Sequence, residues 1–307
     1  MATGRMSDIP YMTAAGVDVV FNRAAKMPMQ KYYPQICEEK SQVKVIGNYH
    51  TIGDLGAAML KPEGDDITYR KISENLKTTI TSRIIANGVE ATEEQLEADL
   101  ENVVKQQFGT PLLATMLDYK EKQIHDVYND GFSATGADGV YMFSASHPLN
   151  DSVLLNDNLA TGALTPDNFI AAKMKFYAIK NQAGRRFATR PTHLLISEYK
   201  QHIAFQIIQS ELVAFELSNT KNVSNDVLPV KVIASPFIDY TASTGVAPWF
   251  LLDRSLKDAG VILQTKRGIK LQHWWEEGPS IYKGKVSEWY GSGFISDGYG
   301  VVGSTGL

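Results

Sequence analysis

The chain has 307 residues, 44% hydrophobic and 21% charged, with a formal net charge of −4 and one cysteine, Cys37. The length predicts two lobes rather than one core, and the composition excludes disorder. A mildly acidic chain without a block of like charge has no general attraction to nucleic acid or to an anionic membrane. One cysteine allows no intrachain disulfide. The start, MATGRMSDIP, lacks an apolar signal region, and no apolar run approaches the ~20 residues of a membrane span. The expectation is an intracellular protein that is soluble when made.

In chain order, Val17, Val20, Phe21 and Ala24 recur at helical spacing, and Pro28 and Pro34 then break the pattern. This predicts a short amphipathic helix followed by an extended arm, packed either on its own core or on a neighbouring subunit. Val43, Val45, Ile67, Tyr69, Ile72, Ile80 and Ile84 follow in strand-like spacing, interrupted by Gly47, Gly53, Gly56, Pro62 and Gly64. A long two-stranded hairpin fits. Such a ribbon is marginal alone in water, so it must lie on something else.

Thr92-Glu93-Glu94-Gln95 has the spacing of a capping box, with acidic residues at the positive end of the helix dipole. The helix is expected to run to about Phe108 and to restart at Thr110-Pro111, with proline at the first helical position. Leu113, Met116, Leu117, Ile124, Val127 and Tyr128 form its apolar stripe, and Gly131 ends it. The pair makes a spine of about 35 residues, ~50 Å if straight, kinked or split at Pro111. After a loop-rich crossing, Thr165-Pro166-Asp167 caps a helix carrying Phe169, Ile170, Met174 and Tyr177 that stops near Gly184. PTHLLIS is a buried strand, Leu194 to Ile196, and Ser197 caps a helix with Ile203, Ile207 and Ile208 inward. VLPVKVIASPFI and APWFLLD are further strand-length apolar runs. Strands alternating with helices describe a compact α/β lobe, about Asp138 to Arg267. The tail is strand-rich and aromatic.

The stretch FSASHPLND, Phe143 to Asp151, invites a catalytic reading with Ser144 or Ser146 as nucleophile, His147 as base and Asp151 behind it. Such triads are assembled from distant segments, and no strand–turn–helix context holds either serine. Pro148, Asn150 and Asp151 are turn formers, so the stretch is read as punctuation between lobes. The six histidines, His50, His125, His147, His193, His202 and His273, show no metal-ligand spacing. Asp65-Asp66, Asp130 and Asp138 do not follow calcium-loop spacing. GSGFISDGYGVVG has no following helix to point at a phosphate. Arg185-Arg186 and Lys266-Arg267 read as solvated pairs. Trp274-Trp275 and Trp289-Tyr290 are core or interface anchors, with both uses open. The expectation is no catalytic, cofactor or metal site.

An arm, a long hairpin, a long spine and one compact lobe, in that order, resemble the major capsid proteins of tailed bacteriophages, and among them the Mu-like prophage major head subunit family. The stretches that carry the resemblance are MPMQKYYPQI; VKVIGNYHTIGDLGAAML with EGDDITYRKI; ITSRIIANGVEATEEQLEADL; YNDGF; DGVYMFSASHPLND; RPTHLLISEYKQHIAFQIIQSE; NDVLPVKVIASPFI; and APWFLLD. The resemblance implies an α+β fold with an N-terminal arm (1–38), an extension-loop hairpin (39–75), a peripheral domain with the spine (76–137 and 268–307) and an axial domain (138–267). It implies a non-enzymatic subunit forming pentamers and hexamers, and from them an icosahedral head around double-stranded DNA held by weak, unspecific contact. Portal and a separate scaffolding protein are the implied partners. Some relatives join a loop lysine to a neighbour's asparagine. Lys61 and Lys71 lie in the loop, but no motif selects them and no crosslink is assigned. The alternatives are an encapsulating nanocompartment on the same fold and a hydrolase using Ser146 and His147.

Overall fold

The computed structural model describes residues 31–52, 58, 60–64, 66, 67, 69, 74–99, 104, 107, 110–149, 155–182, 184–186, 188–208, 230–257, 259–278, 280–295 and 298–307. The leading helix and arm expected over the first 30 residues, and the expected roles of Asp65, Lys71 and Asp151, lie outside the described residues.

Two sheets organise the chain. The first has four strands in the order β1 (Glu38–Ser41), β11 (Val261–Glu276), β12 (Ile281–Phe294) and β4 (Arg83–Thr92). β11 and β12 form a long antiparallel hairpin, from Val261↔Phe294 to Glu276↔Ile281, with irregularities between Thr265 and Arg267 and between Arg267 and Lys270. β4 pairs antiparallel with β12, and β1 pairs parallel with β11. Strand residues alternate between faces. Val286, with Ile85 and Val89 of β4, therefore meets Leu112, Leu113 and Met116 of the long helix α3 (Thr110–Asn129).

The capping box forms before the helix α2 (Glu93–Glu97). Thr92 Oγ1 accepts from Gln95 N at 3.3 Å, and Gln95 Oε1 accepts from Thr92 N at 3.1 Å. This helix ends at Glu97 with Ala98 as its C-cap, and Val104 and Gln107 are helical again, inside the stretch expected to be helical. The Asp99 carboxylate accepts from Val104 N at 3.0 Å. The continuous part of the spine is the 20-residue α3, ~30 Å long.

The second sheet has the order β7 (Leu159–Ala160), β13 (Val301–Ser304), β10 (Trp249–Leu252), β8 (His193–Ser197) and β9 (Lys231–Ser235). It is mixed: β13 to β10 and β10 to β8 are antiparallel, while β8 to β9 and β13 to β7 are parallel. One face carries Leu194, Ile196, Trp249, Leu251 and Val302 against α4 (Pro166–Ala178) and α5 (Gln201–Ile208), through Phe169, Ala172, Phe176, Ala204 and Ile207. α4 ends at Ala178, six residues before Gly184. The other face, with Leu195, Phe250 and Leu252, joins Tyr128 of α3, Phe143 and Tyr290 in the core shared with the first sheet. A short helix, α1 (Tyr33–Ile36), two-residue strands β5 (His147–Pro148) and β6 (Leu155–Asn156), and 3-10 turns at Asp130–Phe132 and Glu198–Lys200 lie around the two sheets.

Three expected boundaries differ from the sheets. β11 runs through 267/268, because exposed strand continues where hydropathy falls. β13 pairs with β10 and so belongs to the lobe's sheet, not with 268–307. Glu38–Ser41 pairs with β11, so the hairpin is built instead from β2 (Ile46–Ile52) and β3 (Glu74–Thr81), running Ile46↔Thr81 to Ile52↔Glu74.

Candidate assembly site at the root of the projecting hairpin

The hairpin leaves the body where β3 crosses β12. Three devices fix that crossing. Gly291 and Gly293 clear the path: a Cβ on Gly291 would stand 2.6 Å from the Thr81 carbonyl oxygen, and one on Gly293 3.0 Å from the Ile80 side chain. Backbone approach this close is a use only glycine serves. Gln264 of β11, fully buried, then ties both hairpin strands to the sheet. Its Nε2 donates to Ser82 Oγ at 2.8 Å and to the Val45 carbonyl at 3.4 Å, and its Oε1 accepts from Tyr49 Oη at 3.1 Å. Finally, Trp289 Nε1 donates to the Ser82 carbonyl at 3.1 Å, and Ser82 N donates to the Val45 carbonyl at 2.8 Å. Ile80 closes a small core with Ile262, Ile295 and Tyr49. A cleft of about 510 Å³ lies beside the root, lined among others by Lys77, Thr79, Arg83, Gln123, Gly136 and Ser292.

Farther out the ribbon is bare. Leu60 is 95% exposed and Tyr69 87%, with Ile67, Lys61, Glu63 and Asp66 also exposed. A root so firmly tied, under a far end where Leu60 and Tyr69 stand almost fully exposed, is a geometry suited to contact with another molecule.

A second anchor holds the chain where it enters at Tyr32. Glu121 of α3 accepts from Tyr32 N at 2.7 Å and from Tyr33 N at 3.1 Å. Burial raises the Glu121 carboxyl above its usual range, partly offset by these N–H groups. His125, one turn on, faces the Glu121 carbonyl at 2.7 Å and Ser235 Oγ at 2.9 Å, and burial lowers its pKa to about 4. Lys120 reaches Glu288 at 2.6 Å and sits 5.0 Å from the centroids of Tyr33 and Tyr290. Tyr128 Oη and Arg254 Nη2 donate to the carbonyls of Ile36 and Cys37, each at 2.6 Å.

His147 is buried but faces neither serine. Its Nδ1 meets Asp138 Oδ2 at 2.6 Å and its Nε2 meets Asn158 Oδ1 at 3.1 Å. The Ser144 and Ser146 hydroxyls face each other at 3.2 Å. The histidine thus clasps the loop at Asp138 to the crossing at Asn158, whose amide also accepts from Ser144 N and donates to the Met142 carbonyl. Among the described residues, no group of three His, Cys, Asp or Glu is placed to hold a metal ion. Trp289-Tyr290 serves root and core, whereas Trp274 and Trp275 are exposed. Lys266 lies 3.6 Å from the centroid of the Trp289 ring, and Arg267 Nη2 donates to Ser287 Oγ at 2.9 Å. Arg185 N donates to Asn181 Oδ1 at 2.8 Å, and Lys180 bridges Arg186. Sequence reading missed Gln264, Gly291 and Gly293 as root residues, and Lys120, Glu121 and His125 as buried ones. The glycine pair in YGSGF was the one visible signal.

Comparison with solved structures places this fold among viral and encapsulin shells. The capsid of cyanophage P-SCSP1u matches at a TM-score of 0.59 and 10% identity, over 91% of this chain and 89% of that one. The holo-SrpI encapsulin complex of Synechococcus elongatus PCC 7942 matches at 0.57 and 12%, over 100% and 96%. The capsid of cyanophage Pam1 matches at 0.55 and 14%, over 91% and 94%. The fold is the α+β fold of the tailed-phage major capsid proteins. Residues 158–238, which include β7, β8 and β9 of the five-stranded sheet, match the sequence model of the Mu-like prophage major head subunit gpT. No curated protein matches the chain. The sequence match covers this part of the lobe, and the solved structures share the fold of the whole.

Proposed function

We propose that this protein is a major head subunit that forms pentamers and hexamers, and from them a closed icosahedral shell around packaged double-stranded DNA. The observation that carries the proposal is the hairpin, clamped at its root by Gln264, Trp289 and two glycines and bare at Leu60 and Tyr69. Laid over an adjacent subunit, the ribbon buries the apolar side chains that solvent now meets. Such obligate contacts reach ~2,000 Å² or more. The segment ahead of Tyr32, anchored by Glu121, reaches a further neighbour. The first sheet with α3 forms the peripheral part, and the five-stranded lobe meets its fellows at the capsomer centre. The net charge of −4 suits a wall along which packed DNA slides, since strong phosphate binding needs a basic surface. A portal and a separate scaffolding protein complete the assembly, which takes place in the bacterial cytoplasm and ends in the virion. The subunit is structural and runs no reaction of its own.

The encapsulin reading uses the same fold and has no better support than the phage reading. Electron microscopy of the protein purified from an expressing cell tests the proposal. Rings and closed shells are expected, and a small oligomer at every concentration overturns it. Particles isolated from the native source decide between the two shells: DNA inside marks a phage head, and a packed enzyme marks a nanocompartment.

A further inference from the structure

The first sheet sets one face against α3 and leaves the other open. Val286 and Glu288 of β12 turn toward α3, where they meet Met116 and Lys120. Lys285, Ser287 and Trp289 alternate with them and turn the other way. Opposite these three stand Gln272, Lys270 and Arg267 of β11 and Gly88, Ala86 and Ile84 of β4. Ile84, Ala86 and Gly88 are exposed, and so are Arg267, Lys270 and Lys285.

This open face is basic in a chain whose net charge is −4. Lys266 lies 3.6 Å from the centroid of the Trp289 ring and Lys285 5.5 Å from that of Trp274, contacts that hold both ammonium groups on the face. Arg267 Nη2 donates to Ser287 Oγ at 2.9 Å, and Lys270 stands beside it. Lys266, Arg267, Lys270 and Lys285 make no ion pair with any described residue. The acids of the face are Glu90 and Glu276, at its turn end, with Glu277 beyond. Both are engaged by Lys283, which reaches Glu90 at 3.9 Å and bonds Glu276. Away from that end the face carries cations alone.

The cations fall in three rows along β12, level with Lys285, Ser287 and Trp289. Successive rows are two residues apart, about 7 Å. Each strand of duplex DNA presents one phosphate per about 3.4 Å of axis, so the rows keep step with alternate phosphates. An acidic protein surface has no such fixed period. Resting on the shell reading above, we infer that this face binds the phosphate backbone of double-stranded DNA and is where packaged DNA touches the wall. Lys266, Arg267, Lys270 and Lys285 are its phosphate contacts. Backbone contacts carry no sequence information, and four of them hold weakly at physiological salt. The DNA is thus touched at intervals and still slides.

The test is fluorescence anisotropy of a short labelled duplex with the full chain, kept below its assembly threshold, over a salt series. Four phosphate contacts give a slope of log affinity against log salt of about −3.6, a loss of roughly 150-fold between about 50 and about 200 mM. Lys270→Gln/Lys285→Gln is expected to cut the slope to about −1.8 and that loss to roughly 12-fold, with the melting temperature and the assembly threshold unchanged. Lys231→Gln, on β9 of the other sheet, is expected to leave the slope where it was. A slope that the double variant does not move overturns this site and leaves the shell reading standing. So does a double variant that binds DNA as before but assembles only at higher concentration, which makes the face a subunit contact. Polyglutamate that displaces the duplex as well as unlabelled DNA of equal charge also overturns it, in favour of an acidic protein partner. The expected slopes in a protein that never assembles keep the DNA-binding face and overturn the shell reading.

Discussion

Gly291→Ala isolates the hairpin root more cleanly than any deletion, because it adds one methyl group and removes no hydrogen bond. The new Cβ would lie 2.6 Å from the Thr81 carbonyl oxygen, 3.0 Å from its carbon and 3.1 Å from Ser82 Cα, all backbone atoms that cannot rotate away. Ordinary van der Waals contact begins near 3.4 Å, so β3 and β12 must part by roughly half an ångström or more. Overpacking of this kind costs about 1–3 kcal/mol. The strain falls on the Ser82 N to Val45 carbonyl bond and on the Trp289 and Gln264 bonds to Ser82. At 1.4 kcal/mol per tenfold, hydrogen-exchange protection of the Ser82 amide should drop roughly 5- to 100-fold. Protection along β10 should hold. Gly268→Ala is the control, since a Cβ there has nothing within 4 Å. If Gly291→Ala and Gly268→Ala exchange alike at Ser82, the close crossing is not what holds the hairpin.

Further expectations bear on the anchors. Lys120→Met leaves the Glu288 carboxylate buried without its cation, and chemical denaturation should show a loss of about 3–5 kcal/mol, largely recovered in Lys120→Met/Glu288→Leu. His125 carries its lowered pKa of about 4 against an ordinary 6.5 in the unfolded chain. The unfolded state therefore binds more protons between those values, and stability is lost as pH falls from about 6.5 to 4, by up to roughly 3 kcal/mol. Glu121, with its raised carboxyl, acts in the opposite sense, its contribution falling as pH rises through that carboxyl's range. The difference between wild type and His125→Gln in pH-resolved melting therefore isolates the histidine, and parallel pH profiles would refute its buried neutral state. His147→Ala should lower the melting temperature by undoing the Asp138–Asn158 clasp, while Ser146→Ala leaves it unchanged. Equal effects from the two would mean that the serine shares the histidine's role.

Local grammar carried well from sequence to structure where the signal was local. Thr92 and Gln95 specify their box within four residues, and Thr165 with Pro166 starts α4 with the Thr165 hydroxyl accepting from Asn168 N. The apolar runs of β8, β9 and β10 emerge as buried strands because their hydrophobicity is continuous. What stayed hidden depends on partners far along the chain. Lys120, Glu121 and His125 look like the wet side of a helix until Glu288, the Tyr32 and Tyr33 amides and Ser235 arrive to satisfy them. Asp138 and Asn158 look like turn residues until His147 falls between them. The expected boundary at 267/268 falls inside β11 for a related reason. VILQT giving way to KRGIK marks where β11 leaves the core for solvent, not where it ends. Periodicity also could not say which side of α4 faced in, since both are apolar.

The account stands on the hairpin of one copy lying against another, and Lys61 at its exposed end reports on that directly. Particles assembled from an equal mixture of light and heavy isotope-labelled subunits, treated with a short amine-reactive crosslinker, should give Lys61 crosslinks joining light to heavy chains about as often as like to like. Lys61 crosslinks found only within single chains, in particles that are otherwise intact, would contradict the account.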